Sequence, residues 1–327
     1  MVSTGSTRGH GGSTSEPVGW SGSPRIVSGD PGGVTTLLRA ALPSIPVVNR
    51  LPGVRRSGDF DGLAFARPAV TIERPHVTAY AGVCGFPVKD TVPLTYLHVL
   101  AFPLHLAILT DPSFPFPAVG AVHLANSITG HRPVGVGETV TVTTRAHEVR
   151  AHPKGQTVDV VTTVDAGGQV VWESTSTYLN RGVSTGSTNG GGSTNEGGPT
   201  DAGGSTDASA PDEIPPGRVT WRLAGDLGRR YASVSGDHNP IHLYPLTAKA
   251  LGFRRQIAHG MWSLARCVAA VENRLPDAVT VDVAFKKPVF LPGSVAFGVA
   301  AHDDGLAFAL TSPTSGAPHL VGRTHRA

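Results

Sequence analysis

The sequence predicts an α+β protein built from two tandem units, and three observations carry that expectation. Two blocks recur in the same order. Tyr80-Ala81-Gly82-Val83-Cys84-Gly85-Phe86 lines up with Tyr231-Ala232-Ser233-Val234-Ser235-Gly236-Asp237. Further on, Arg132-Pro133-Val134 followed by Gly137-Glu138-Thr139-Val140 is echoed by Lys287-Pro288-Val289 followed by Gly293-Ser294-Val295. Ordered internal matches point to a duplicated unit. Between the copies, from Ser184 to Thr206, the only aliphatic residue is Ala202, which is the composition of a linker. Each copy also mixes helix-length apolar runs with β-branched stretches at strand spacing.

In chain order, residues 1–35 are rich in Gly, Ser and Thr and read as a flexible tail. A first unit is expected over residues 36–182, a linker over 183–215 and a second unit over 216–327. From Thr36 to Arg67 the prolines at Pro43, Pro46 and Pro52 predict an irregular lead-in. The apolar run Tyr96 to Leu109 predicts a buried helix, kinked at or beginning near Pro103. Strands are expected over Thr139 to Thr144, Gln156 to Val164 and Val170 to Tyr178. The second unit predicts a short helix near Leu227 to Val234, a helix from Leu246, a longer one from Met261 to about Arg274, and strands after Ala278.

Composition narrows the class of function. Lys and Arg number 27 against 24 Asp and Glu, a net charge of +3, and apart from short clusters such as Arg254-Arg255 and Lys286-Lys287 the charges are scattered. That is no nucleic-acid-binding profile, although a local basic rim suits phosphate or an acidic carrier protein. No run of eighteen apolar residues occurs, so no membrane span is expected. Met1 to Ser15 lacks the apolar core of a signal peptide, which predicts a cytoplasmic protein. Cys84 and Cys267 lie in apolar surroundings and read as small buried hydrophobes rather than a disulfide. His98 and His105 flank Pro103 without a third ligand at a telling spacing, so they do not make a metal site.

The chemistry concentrates in Tyr231 to His242. Tyr231 reads as a helix residue packed in the core. Asn239-Pro240 favours a turn, since proline fixes its own φ and restricts the residue before it, and this holds Asp237 and His242 on one side of a compact loop. A carboxylate and an imidazole so placed can share one water and perform general acid/base work. A capped turn with an ion pair is the bland alternative. The N-terminus of the helix from Met261, preceded by Gly260, offers unpaired N–H groups to a developing oxyanion. Ser233, Ser235 and Ser263 lie in no G-x-S-x-G elbow, which argues against a serine nucleophile. By alignment of the copies, the first unit has Phe86 and Thr91 where the second has Asp237 and His242.

Three blocks in order, Tyr231 to His242, Ile257-Ala258-His259-Gly260-Met261, and Phe285-Lys286-Lys287-Pro288-Val289-Phe290, resemble the MaoC-like (R)-specific enoyl-thioester hydratase family, and the first half is similar to the degenerate repeat of its two-repeat members. The resemblance implies a double hotdog, two units each a long helix wrapped by an antiparallel sheet, standing as a monomeric pseudodimer or a homodimer. It implies that Asp237 and His242 activate the water that adds to a trans-2-enoyl thioester, or expel it in reverse. Gly260 would bind the thioester oxygen, with Gly236, Asn239 and Pro240 ordering the loop. It implies no metal or other cofactor, and a coenzyme A or acyl carrier protein thioester as substrate, with Arg254, Arg255, Lys286 and Lys287 as candidate phosphate contacts. A non-catalytic thioester-binding module and a thioesterase remain as alternatives on the same fold. The first unit is expected to take the acyl chain along Tyr96 to Leu109, so that enlargements such as Ala101→Phe or Ala107→Phe discriminate by chain length.

Overall fold

The computed structural model describes residues 23–27, 60, 62–114, 121–181 and 214–327. The segment 184–206, most of the tail and most of the lead-in lie outside the described residues. In chain order come β1 (Arg25–Ile26), β2 (Ala64–Thr71), α1 (Arg74–Cys84), α2 (Tyr96–Thr110), β3 (Ala121–Gly130), β4 (Thr139–His152), β5 (Gly155–Ala166) and β6 (Gln169–Arg181). The second unit follows with β7 (Val219–Leu223), α3 (Leu227–Ser235), α4 (Pro240–Leu243), α5 (Pro245–Ala250), α6 (Gly260–Val271), a 3₁₀ turn, β8 (Val279–Phe285), β9 (Gly293–His302), β10 (Gly305–Thr311) and β11 (Pro318–Arg326).

The strands form one eleven-stranded sheet in the order β1-β2-β4-β5-β6-β3-β8-β11-β10-β9-β7. Read outward from the β3–β8 junction, the two sides have matching order: β3, β6, β5, β4, β2 on one and β8, β11, β10, β9, β7 on the other. Every pairing is antiparallel except β1 with β2. The chain is therefore a double hotdog, with α2 and α6 as the two wrapped helices. Both are apolar enough to be buried: α2 buries Leu97, Leu100, Ala101, Leu104 and Ile108, and α6 buries Met261, Trp262, Leu264 and Val268. Apart from Ile108, which packs in a second cluster with Leu63 and Phe114, these residues share one continuous core. Pro103 neither starts nor ends α2, which runs through it.

The carbonyls of the matched residues Val83 and Val234 are each bonded from the opposite unit, by donors on non-equivalent helices. The indole N–H of Trp262 donates to the Val83 carbonyl (3.1 Å), and His76 Nε2 meets the Val234 carbonyl (2.9 Å). A carbonyl can only accept, so His76 carries its proton on Nε2 and accepts at Nδ1 from the Tyr96 hydroxyl at 2.8 Å. The matched tyrosines Tyr80 and Tyr231 meet with ring centroids 6.3 Å apart. At the sheet junction Ile128 stands opposite Val281. On the other face, Ser127 donates to Asp282 (2.7 Å) and Thr129 meets Thr280 (2.9 Å).

The structure corrects several expectations. Within the supposed tail, β1 pairs with β2, Arg25 bridges Asp111 at 2.8 Å, and Val27 packs against the core while Ile26 stays exposed. The lead-in ends earlier than Arg67, since β2 begins at Ala64. Strands β2, β3 and β7 and helices α1 and α4 were not anticipated. In β3 the reason is physical: it lies mid-sheet and buries a polar side chain, Asn126, whose amide N–H groups donate to Ser174 (3.1 Å) and Ser176 (2.8 Å), which breaks the usual alternation. Cys84 and Cys267 are both buried free thiols.

The equivalence of Thr91 with His242 also fails. Thr91 forms a bridge with Gly135, as Ile257 does with Phe290. The hydrogen bond from Val92 to Val134 matches that from Ala258 to Val289. Thr91 is thus the counterpart of Ile257, and the segment carrying α4 and α5 has no equivalent in the first unit.

Tyr80 joins the units: it is fully buried, donates to Thr95 (2.9 Å) and packs its ring against Phe86, Tyr96 and Tyr231. Tyr80→Ala is expected to destabilise the whole chain by roughly 3–5 kcal/mol, as for other large-to-small changes at buried aromatic residues. Urea unfolding measures it, and a loss below about 1 kcal/mol would mean that the α1–α3 contact is dispensable.

Candidate active site

The turn after α3 is built from two successive side-chain caps. Gly236 ends the helix in the left-handed region (φ 74°), its N–H closing on the Ala232 carbonyl at 2.9 Å. Asp237 Oδ1 then accepts from the Asn239 N–H (3.1 Å), and Asn239 Oδ1 accepts from the Ile241 N–H (3.3 Å). The second bond caps α4, with Pro240 in its first turn where no N–H is needed. The His242 N–H closes onto the Asn239 carbonyl at 3.0 Å. Gly236, Asn239 and Pro240 all take part in this turn, and the separation of Asp237 from His242 is made of one capped turn, 237 to 239, followed by one turn of α4, 239 to 242. Gly228, on α3 beneath this turn, is required by close approach: a Cβ there would collide with the His242 carbonyl.

His242 Nδ1 lies 2.9 Å from the Ile257 carbonyl, and His259 Nε2 lies 3.0 Å from the Asp237 carbonyl. Each ring must donate to its carbonyl, which leaves a lone pair on His242 Nε2 and on His259 Nδ1. The two rings stack at 3.7 Å, and His259 Nε2 is 3.7 Å from Asp237 Oδ2. Asp237, His242 and His259 each offer a donor atom within 4.8 Å of the others, a set that a divalent ion could also use.

Burial alone would raise the Asp237 carboxyl, but His259, His242 and the Asn239 N–H outweigh it and hold it below the usual carboxylate value. Burial lowers His242 below its ordinary value, with Asp237 and the Ile257 carbonyl pulling partly back. Burial, aided by His242, takes His259 down to about 3. At neutral pH the site is a carboxylate between two neutral imidazoles, an arrangement suited to accepting a proton from water.

Gly260 is the first residue of α6, so its N–H belongs to the unpaired set at a helix N-terminus. A Cβ on it would stand 3.1 Å from the Phe285 ring, so the packing itself asks for glycine. Asp237, His242, His259 and Gly260 line one cavity of about 550 Å³, together with Val99, Phe102, Leu106 and Leu109 of α2 in the first unit. Lys286 and Lys287 line it as well. Arg254 and Arg255 do not; they gather at the Phe290 ring, the Arg254 guanidinium 4.1 Å from its centroid. Ala101, wholly buried, and Ala107 are not on the cavity wall, so they are the wrong positions for narrowing it.

Sequence reasoning gave no role to His259, Gly228, His98, His123 or Tyr178. Of these, His259 lay inside a block singled out for the chemistry, and His98 inside the Tyr96 to Leu109 run expected to take the acyl chain. The others reach the site through packing between elements far apart in sequence.

The fold and site together define a double-hotdog protein whose second unit gathers Asp237, His242 and His259 at the wall of one cavity. A MaoC like domain model matches residues 208–312. Over 291 residues, 89% of this chain and 97% of the relative, the sequence is 38% identical to 3-hydroxyacyl-thioester dehydratase X of Mycobacterium tuberculosis. The crystal structure of that organism's HtdX superposes with a TM-score of 0.68 at 36% identity, covering 81% of this chain and all of the other. A shorter match, 30% identical over 82 residues, 24% of this chain and 61% of the relative, is to the (R)-specific enoyl-CoA hydratase of Aeromonas caviae. The chain belongs to the MaoC-like family.

The buried rings make stability depend on pH. Burial pushes His98 down to about 4 and His123 and His259 down to about 3, whereas the same rings in the unfolded chain titrate near 6.5. The folded-state values are depressed, so the stabilisation is fully present above about 6.5 and is lost as pH falls from there toward 4 and 3. Each ring contributes a slope approaching about 1.4 kcal/mol per pH unit. The urea midpoint should therefore drop clearly between pH 7.5 and 5.5; an unchanged midpoint would contradict neutral buried rings.

Proposed function

We propose that this protein hydrates trans-2-enoyl thioesters to (3R)-hydroxyacyl thioesters and catalyses the reverse dehydration. The observation that carries the reading is the ionised Asp237 beside the neutral His242 at the wall of a cavity whose far side is the apolar face of α2. The (R) sense and the thioester class rest on the likeness to the two named relatives.

Hydration follows from the geometry. Asp237 accepts one hydrogen bond from a water and orients it, while the His242 Nε2 lone pair takes its proton as the oxygen bonds to C3. The electron pair of the C2–C3 double bond moves toward the thioester carbonyl, whose oxygen gathers charge at the Gly260 N–H and the positive end of α6. Return of the proton to C2 completes the addition, and dehydration is the reverse. The step is redox-neutral and transfers only water. Cytosolic coenzyme A and acyl carrier protein thioesters both present phosphate, and Lys286 and Lys287 at the cavity wall, with Arg254 and Arg255 beside Phe290, are the proposed contacts. Among the described residues no helix is long and apolar enough to cross a membrane.

Asp237→Asn and His242→Ala are each expected to lower turnover by ~10²-fold to 10⁴-fold with the fold retained, since each removes a proton-transfer partner. The loss of enoyl-thioester absorbance measures it, run with a chelator present throughout to set metal chemistry aside. Near-normal rates in both variants would refute the assignment.

The same cavity should read chain length. Val99→Phe or Leu106→Phe should weaken long-chain substrates while sparing four-carbon ones, each methylene excluded from an apolar site being worth about 0.8 kcal/mol. Specificity constants across a chain-length series decide it. An equal loss at every length would show that α2 only supports the fold.

A further inference from the structure

The first unit's side of the cavity carries three polar side chains that the hydration leaves unused: His98 on α2, His123 on β3 and Tyr178 on β6. They form a braced wall. Tyr178 shares a hydrogen bond with His105 Nδ1 (3.0 Å), His105 Nε2 with Thr162 (2.9 Å), and Thr162 with Thr144 (3.2 Å), so His105 has both nitrogens engaged. The His123 ring stacks on Tyr178 at 4.7 Å and lies 5.1 Å from Phe285, the residue that packs on Gly260.

His98 and His123 differ from His105 in one respect. His98 Nδ1 and His123 Nε2 are both buried, and neither has a hydrogen-bond partner among the described residues. His98 is only 3% exposed. A buried polar nitrogen left unpaired is destabilising, and native structures retain few such groups without a use for them. A channel for a purely hydrocarbon chain has no use for them: the same wall elsewhere presents Val99, Phe102 and Leu106. Burial keeps both imidazoles neutral, and the Asp237 carboxylate acts on each. Neutral rings beside an anion favour an uncharged oxygen over a carboxylate.

We propose that His98 and His123 recognise an uncharged hydrogen-bonding oxygen, a hydroxyl or carbonyl, carried on the acyl chain beyond C3, so that the preferred thioesters are oxygenated ones. The inference rests on the hydration reading above and names its substrate class. A site built to hydrogen-bond a substrate oxygen rejects the analogue lacking it far more strongly than an apolar pocket distinguishes one methylene.

The test uses the full chain and a panel of enoyl-CoAs of equal length, one unsubstituted and the others bearing a hydroxyl or keto group at successive carbons beyond C3. The native protein is expected to favour at least one oxygenated isomer by 10-fold or more in kcat/KM. His98→Leu and His123→Leu should bring that ratio close to one, and His123→Gln, which keeps a donor and an acceptor, should restore part of it. Calorimetric binding of the matching saturated acyl-CoAs to native protein reads the same preference without turnover or any substitution. Hydration of the plain chain with no preference for any oxygenated isomer overturns this inference while leaving the hydration reading intact. No hydration of any thioester overturns the hydration reading and this inference with it. If affinity for coenzyme A without an acyl group falls in the leucine variants by the same factor, the histidines meet the carrier's amides, and the inference is also overturned.

Discussion

The pairing of β3 with β8 is the interaction on which the rest of the structure depends. It runs from Ala125 opposite Ala284 to Gly130 opposite Val279, and it turns two half-sheets into one. Hydrogen bonds alone would contribute modestly, because each exchanges a bond to water for one within the chain. The junction gains more from what it brings together: Ile128 against Val281 on the core face, and α1 against α3 with Tyr80 and Tyr231 between them. Once the units are joined, a cavity can have one wall from each.

That division of walls goes with a difference between the two units. The units keep the same strand order and matched glycine-capped helices ending at Gly85 and Gly236. They part company immediately after those glycines. In the second unit the chain makes its two caps, adds α4 and α5, and returns to the sheet at Ile257. In the first it returns at once, at Thr91. Asp237 and His242 sit on the added segment and His259 on the connection into α6 that it covers, so the first unit lacks the scaffold as well as the side chains. What it supplies is the opposite wall.

Burial sets the state of the site's histidines, whereas at Asp237 the neighbouring groups outweigh burial. His242 and His259 are stacked, each tied by one N–H to a backbone carbonyl, and a charge on either ring would have to be accommodated away from water. Keeping them neutral leaves lone pairs available beside an ionised Asp237. The same burial makes the histidines a liability in acid. The chain tolerates that because the rings are held by fixed backbone acceptors and by the core around them.

The sequence by itself determined the duplicated α+β architecture, the wrapped helices α2 and α6, and the loop that holds Asp237 and His242. These are set by local chemistry: apolar period, β-branched content, a left-handed glycine, and two side-chain caps in a row. It also suggested Gly260 at the start of α6. The tertiary structure decided what depends on elements distant along the chain. It brought His259 under Asp237, set Gly228 against the His242 backbone, paired Thr91 with Gly135 and so removed it from the catalytic comparison, and placed His98, His123 and Tyr178 on the wall of the second unit's cavity. None of these leaves a periodic or capping signature, because contacts across a sheet junction are specified by packing between two units and by no pattern within either.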